Sequence, residues 1–576
     1  MSLRGLSRAT WVWVAVCCFT AEPGAIVAFT GDDVSAQSTA AGNNGSAGLP
    51  PPRTATVLTS ARTSKFARTS APSKNWDDAR ALAVLIDDHI AAKWDEKRVE
   101  PAAPADDAEF ARRVWLDLAG RVPSVAETRA FLADSGPNKR ERLVDRILGG
   151  REFVAHMTET WEALLLPERE DQQYYRFYMQ GFRKWLRAKF DRDEGYDSLV
   201  RELLSVKITD QQNGLLYIYS DQETPSPRIF YALKQGKPEN YAATTARLFL
   251  GLRIECAQCH DHPFASWRRD QFWSLAAFFG GISKQGKEDF DPIRERRGGG
   301  EIDIPGTERA VTASTLDGET PRWRYRDNGR VVLAKWVTSK DNPYFAKAAA
   351  NRVWGMLFGV GVVDPVDNFG DDNPPSHPEV LDELANGFAS HDFSLKFLFR
   401  TIVSTRAYQL SSSSESTQKL DVRLFARRSL KGLSGRQLYD SLAVATGFAR
   451  VSDEMNDVDP NRDQFLMKFK ATDDKPTERQ TSILQALALM NGQVIATATT
   501  IESGATLTAV AAAPFLGTEE RIETIFLAAL GRPPRPEELE ALATYVERGG
   551  PTSNPKRALA DVFWTLLNSA EFLYNH

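Results

Sequence analysis

Seven consecutive residues hold the densest potential chemistry in the chain: Cys256-Ala257-Gln258-Cys259-His260-Asp261-His262. Two thiols spaced by two residues and followed at once by an imidazole make CxxCH, the attachment motif for c-type haem. Each thiol can form a thioether to a porphyrin vinyl group, and the adjacent imidazole then reaches the iron as proximal ligand. With four Cys and seven His in the chain, chance produces such a motif about once in several thousand sequences of this make-up. Other chemistries suit the same residues. Cys256 and Cys259 could close a short disulfide in an oxidising compartment. Zinc or another metal could take two thiolates and two imidazoles from Cys256, Cys259, His260 and His262. Four ligands within seven residues are cramped, so a metal would recruit a distant group. The pair could also stay reduced and be structural.

The rest of the chain must position this segment, in a compartment that suits it. Cys17 and Cys18 lie in an N-terminal stretch where Arg4 and Arg8 precede the apolar run Trp11–Phe19. That pattern predicts a secretory signal over 1–36, with Val34-Ser35-Ala36 as a cleavage candidate. The exported chain then keeps only Cys256 and Cys259. Periplasmic or cell-surface export agrees with c-type haem, which is attached outside the cytoplasm. Residues 37–76 are rich in Ser, Thr, Ala, Gly and Pro, carry five basic and no acidic residues, and read as a disordered linker. No later stretch approaches the apolar length of a membrane helix, so no integral span is expected once the signal is removed.

Length and composition set the frame. The 576 residues are 42% hydrophobic and 26% charged, ordinary globular proportions for two to four domains. Lys plus Arg is 71 against 76 Asp plus Glu, a net charge of −5. That balance argues against a nucleic-acid partner and leaves an unidentified extracytoplasmic one.

From Asp77 the pattern is helical, and a mainly α fold is expected. Asp106 and Asp107 open a helix with Phe110, Val114 and Leu118 on one face, and Gly120 closes it. Ser124 and Glu127 fit a capping box. A second Gly-Arg-x-Pro turn at Gly531–Pro534 echoes the one at Gly120–Pro123, each followed by a helix with Glu in its first turn. Residues 283–329, with Gly298-Gly299-Gly300 and short β-like pieces, read as an irregular linker with a small hairpin. Asn342-Pro343 reads as a helix start, and Gly359 as its end. The expected organisation is a helical domain over 77–282 carrying the cluster, the linker 283–329, and a second helical domain over 330–576.

The block TTARLFLGLRIECAQCHDHPF, with FARRVWLDLAG and ERLVD before it, resembles the planctomycete cytochrome-like domain family. The segments AANRVWGMLFGVGVV, NFGDDNPPSHPEVLDELA, RTIVSTRAYQLSS, LQALALMN and ALGRPPRPEEL resemble the planctomycete-specific domain that usually follows it. The resemblance implies export and a multi-domain setting, and brings no established activity. Members often carry an acidic residue after the Phe, where this chain has Ala265. His377, inside PPSHPE, is the candidate distant ligand, although Ser376 or His377 before Pro378-Glu379 also reads as an ordinary helix start. The loop Asn368–Glu379 is accordingly expected to pack over the cluster. Asp364, Asp367, Asp371 and Asp372 miss the calcium-loop spacing and read as a solvated loop. No P-loop, GxSxG or HExxH motif occurs. Two functions stand open: an exported redox protein with haem at Cys256, Cys259 and His260, or an extracytoplasmic binding or assembly protein whose cluster is a structural metal site or a disulfide.

Overall fold

The computed structural model describes residues 74–167, 179–208, 224–262, 265–284, 286, 293–296, 300–323, 327–413, 421–448, 460–469, 489–490 and 492–576. The expected signal and nearly all of the expected linker 37–76 lie outside the described residues. The protein is mainly α, and strands among the described residues occur only as short two-stranded antiparallel pairs. Among those residues no helix is long and apolar enough to cross a membrane.

The first helix, α1 (Lys74–Lys97), begins inside the expected linker. Trp76 explains the early start: it is 1% exposed, and its indole N–H donates to Asp145 at 2.6 Å. Helix α2 (Asp107–Val114) is capped by the Asp106 carboxylate, which accepts the Glu109 N–H at 2.8 Å. It widens into a π-turn over Trp115–Ala119 and stops at Gly120, whose φ is 72°. A side chain there would collide with the His156 ring, with a Cβ 2.4 Å from Nδ1, so packing as well as backbone conformation requires glycine. Ser124 and Glu127 form the capping box that starts α3 (Val125–Leu132).

The larger apolar core runs from Trp76 to Ala426 and takes in α4 (Pro238–Thr245) and α5 (Arg269–Ala277). The segment expected to be a linker contributes to it. Its two hairpins pair β1 (Ile282–Lys284) with β2 (Ile293–Glu295), and β3 (Glu301–Asp303) with β4 (Ala310–Thr312). Ile304, Ala313 and Leu316 are buried in the same core, and Arg330 clasps Glu295 at 2.5 and 2.6 Å. Gly298 and Gly299 lie outside the described residues. Helix α6 (Phe345–Phe358) starts two residues after Pro343, with Asn342 Oδ1 accepting the Tyr344 and Phe345 N–H groups, and ends at Gly359 (φ 80°). It is buried on nearly every side and packs on both the π-turn after α4 and α7 (Pro378–Ser390). A helix apolar all round needs partners all round. Residues 330–426 therefore share one interior with 76–282, and the packing does not follow the expected 282/330 division.

The smaller core spans Leu438–Phe572 and holds α8 (Thr518–Leu530) and α9 (Pro536–Glu547). The two Gly-Arg-x-Pro turns match in detail. Gly120 and Gly531 have φ of 72° and 71°. Arg121 pairs with Glu127 and Glu152, as Arg532 pairs with Glu538 and Glu571. The copies also touch: buried Arg112 donates to the Ala529, Glu571 and Phe572 carbonyls. Near them β5 (Lys431–Gly432) pairs with β6 (Tyr574–Asn575). Buried Asp117 binds Arg428 at 3.0 Å, Lys431 at 2.5 Å, the Tyr408 hydroxyl at 2.8 Å and the Asn575 amide at 2.7 Å.

Candidate functional site

The cluster sits on a turn wedged between two helical pieces. After α4 the chain makes a π-turn over Ala246–Leu250, reverses at Gly251 (φ 71°), and enters a single 3-10 turn over Glu255–Gln258. Leu252, Ile254 and Ala257 point into the core, Ala257 at 0% exposed. Cys256 and Cys259 are left exposed, as are His260 and Asp261. Cys256 lies within the turn and Cys259 directly follows it. From α5, the Trp273 indole and the Arg269 guanidinium both donate to the Gln258 carbonyl, at 3.0 and 3.3 Å. The turn is thus held by its middle, and its reactive side chains face out.

Both sulfurs are free thiols, so the disulfide considered from the sequence is not formed in this structure. The two histidines are bonded in opposite senses. His260 Nδ1 lies 2.7 Å from the Asp261 carbonyl oxygen. A carbonyl can only accept, so Nδ1 carries the proton and Nε2 of the neutral ring keeps a lone pair. His262 Nδ1 instead accepts the Ala265 N–H at 2.9 Å, and the His262 N–H donates to the Trp267 carbonyl at 2.8 Å. In its neutral form His262 therefore carries the proton on Nε2. A metal at that nitrogen would require the proton to move and the Ala265 bond to break. His262 closes the loop, while His260 offers a ligand atom. Ala265 contributes its backbone N–H here. Pro263 and Phe264 lie outside the described residues.

His377 has a different setting. It is 3% exposed, its ring centroid lies 5.4 Å from that of Phe425, and its Nδ1 is 3.1 Å from the Ser376 hydroxyl. Burial, helped by Lys93 and Arg423, pushes its pKa down to about 4. Its Nε2 has no hydrogen-bond partner. His377 directly precedes Pro378 at the start of α7, without capping it through its side chain. The expected use of His377 as a distant ligand to the cluster finds no support in these contacts. Among the described residues no three His, Cys, Asp or Glu side chains converge into a metal-binding group.

The loop before α7 contacts the chain ahead of the cluster, at Arg247, Gly251 and Arg253. The Phe369 N–H donates to the Gly251 carbonyl at 2.8 Å, and the Phe369 ring fills the space where a Gly251 side chain would stand. Asp367 pairs with Arg253 at 2.6 Å and approaches Arg247, itself near Glu255. Asp367 is thus an anchor within the Asp-rich stretch, and Asp367 and Phe369 make the contact. Sequence reasoning passed over the anchors Arg269, Trp273 and Asp367, because one Arg or Asp among 71 and 76 of each sign has no local signature.

Residues 85–284, which include the whole cluster, match the family model PSCyt2, described as a protein of unknown function (DUF1549). Residues 329–475 match PSD1, also described as a protein of unknown function (DUF1553). The two matches stand in the expected order. They agree with a planctomycete-type pairing and attach no activity to either part. No curated protein and no solved structure matches the chain. The larger core runs through the PSCyt2 match, the segment between the two matches and the PSD1 match as far as Ala426. The second Gly-Arg-x-Pro hairpin lies beyond the PSD1 match.

Proposed function

We propose that this chain is an exported helical protein carrying a c-type haem on Cys256, Cys259 and His260, and serving redox or electron-transfer chemistry. The donor set supports this reading: two free, exposed thiols, one within a 3-10 turn and the other directly after it, followed by an imidazole whose Nδ1–H is committed to a carbonyl. Thioether attachment takes the two sulfurs to different vinyl carbons, so the sulfurs and the imidazole need not converge. A tetrahedral zinc site needs three or four side chains that do, which favours the haem reading over a preformed zinc site here. When bound, the haem would supply a one-electron couple. The chain's own part is to hold the thiols by a turn anchored at Ala257 and Gln258 and to engage the His260 Nδ1–H on a carbonyl, which leaves Nε2 as the free ring nitrogen of the neutral form. Export rests on the Arg4, Arg8 and Trp11–Phe19 pattern, outside the described residues.

Production in a host competent for covalent haem attachment tests the reading. The denatured polypeptide should keep a mass increment of one haem, and the native protein should show visible bands that change on reduction. Absence of both, with one zinc bound per chain, would replace it with a structural metal site in an extracytoplasmic binding or assembly protein.

A further inference from the structure

An exposed histidine in a loop samples several rotamers and both tautomers, so something must hold the His260 ring in the arrangement described above. One residue joins it to a rigid element. The Asp261 carboxylate Oδ1 accepts the Arg269 N–H at 2.8 Å. That N–H is the first of α5, one of the donors a helix leaves without an internal partner, and it sits at the positive end of the helix dipole. The main-chain carbonyl of the same Asp261 accepts the His260 Nδ1–H at 2.7 Å. Fixing the Asp261 side chain to α5 therefore fixes the peptide group that selects the His260 tautomer. The Arg269 side chain ties the same helix start to the Gln258 and Pro305 carbonyls, so both ends of the turn refer to one anchor.

We propose that Asp261 is a positioning residue for His260: through its carboxylate on the start of α5 and its carbonyl on Nδ1, it presents Nε2 as the ligand atom. The proposal deepens the haem reading and rests on it for its purpose, but the hydrogen bonds are properties of the polypeptide alone. A hydrogen bond from the far ring nitrogen to a carbonyl fixes the orientation of a ligating imidazole and raises its basicity.

Long-range proton–nitrogen correlation spectra of the full apo chain, with His260 assigned through His260→Gln, read the tautomer directly. The parent should show His260 protonated at Nδ1. Asp261→Asn should retain that pattern, because the amide oxygen still accepts the Arg269 N–H. Asp261→Ala should shift His260 toward the Nε2-protonated form, and Asp261→Glu, which displaces the carboxylate, provides the same readout should the alanine variant misfold. In haem-loaded protein the alanine variant should also show a raised midpoint potential, since a less basic axial imidazole favours the ferric state less. An unchanged tautomer in both Ala and Glu variants, or identical behaviour of Asn and Ala, overturns the proposal. A tautomer that responds as expected in a chain that never takes haem would leave the positioning intact and refute the cofactor.

Discussion

At the scale of single residues, Cys256, Cys259 and His260 are exposed while Ala257 between them is fully buried. Chemistry and stability are therefore separable. Replacing both thiols, Cys256→Ser with Cys259→Ser, should abolish retention of a covalent cofactor after denaturation and leave the melting temperature of the apo chain within a degree or so, since exposed substitutions usually change stability by less than about 0.5 kcal/mol. Retention of the full mass increment in the double variant would exclude thioether attachment. His260→Ala should keep the covalent link and alter the spin state, seen in the visible spectrum. His377 gives a pH signature. Its folded pKa of about 4 lies below the ordinary 6.5, so the unfolded chain binds the extra proton between these values. Its contribution is complete above pH 6.5 and is lost as pH falls toward 4, by up to about 3 kcal/mol. His377→Phe, which keeps a ring against Phe425 and removes the unpartnered Nε2, should flatten that slope in urea unfolding curves and leave cofactor content unchanged. Loss of cofactor in this variant would restore His377 as a ligand.

At the scale of elements, the turn depends on how its flanks are pinned. Gly251 combines a φ of 71° with a Phe369 ring at the place of a Cβ. Gly251→Ala should therefore cost about 2 kcal/mol, from left-handed strain and the displaced ring together. The cost should come with faster proteolysis within 364–373 than in the parent. A variant as stable as the parent, with that loop equally resistant, would show that the loop is not held by this contact. The helix boundaries were legible beforehand at Asp106, Ser124-Glu127 and Gly120, because a cap is a local event in which a side chain meets N–H groups two or three residues away. The start of α1 was not, because Trp76 is ordered by Asp145, 69 positions along the chain.

At the scale of the molecule, buried Asp117 joins α2 to β5 and to the last strand, with Arg428 and Lys431 as its cations. Asp117→Ala leaves those charges in the interior without their anion and should cost about 3–5 kcal/mol, measured by chemical denaturation. Because the larger core crosses residues 283–329, a protease cut near Gly298–Gly300 should leave two pieces that co-elute in size-exclusion chromatography. Separation into independently folded fragments would restore the division at 282/330.

The sequence by itself determined what is carried by near neighbours: a helical chain, its caps and glycine stops, the paired Gly-Arg-x-Pro turns, and a CxxCH segment as the place of interest. Periodicity, capping and motif spacing are written within a few residues, so they can be read without the fold. Only the tertiary structure decided how the two histidines of the cluster are hydrogen-bonded. Asp261 and Ala265 bond His260 and His262 in opposite senses, and the anchoring of Asp261 on α5 depends on how the turn meets the helix. Only it placed His377 against Phe425, and merged two matched segments into one interior. Those outcomes arise from contacts between residues far apart in the chain, where the choice of partner depends on packing and leaves no trace in local spacing.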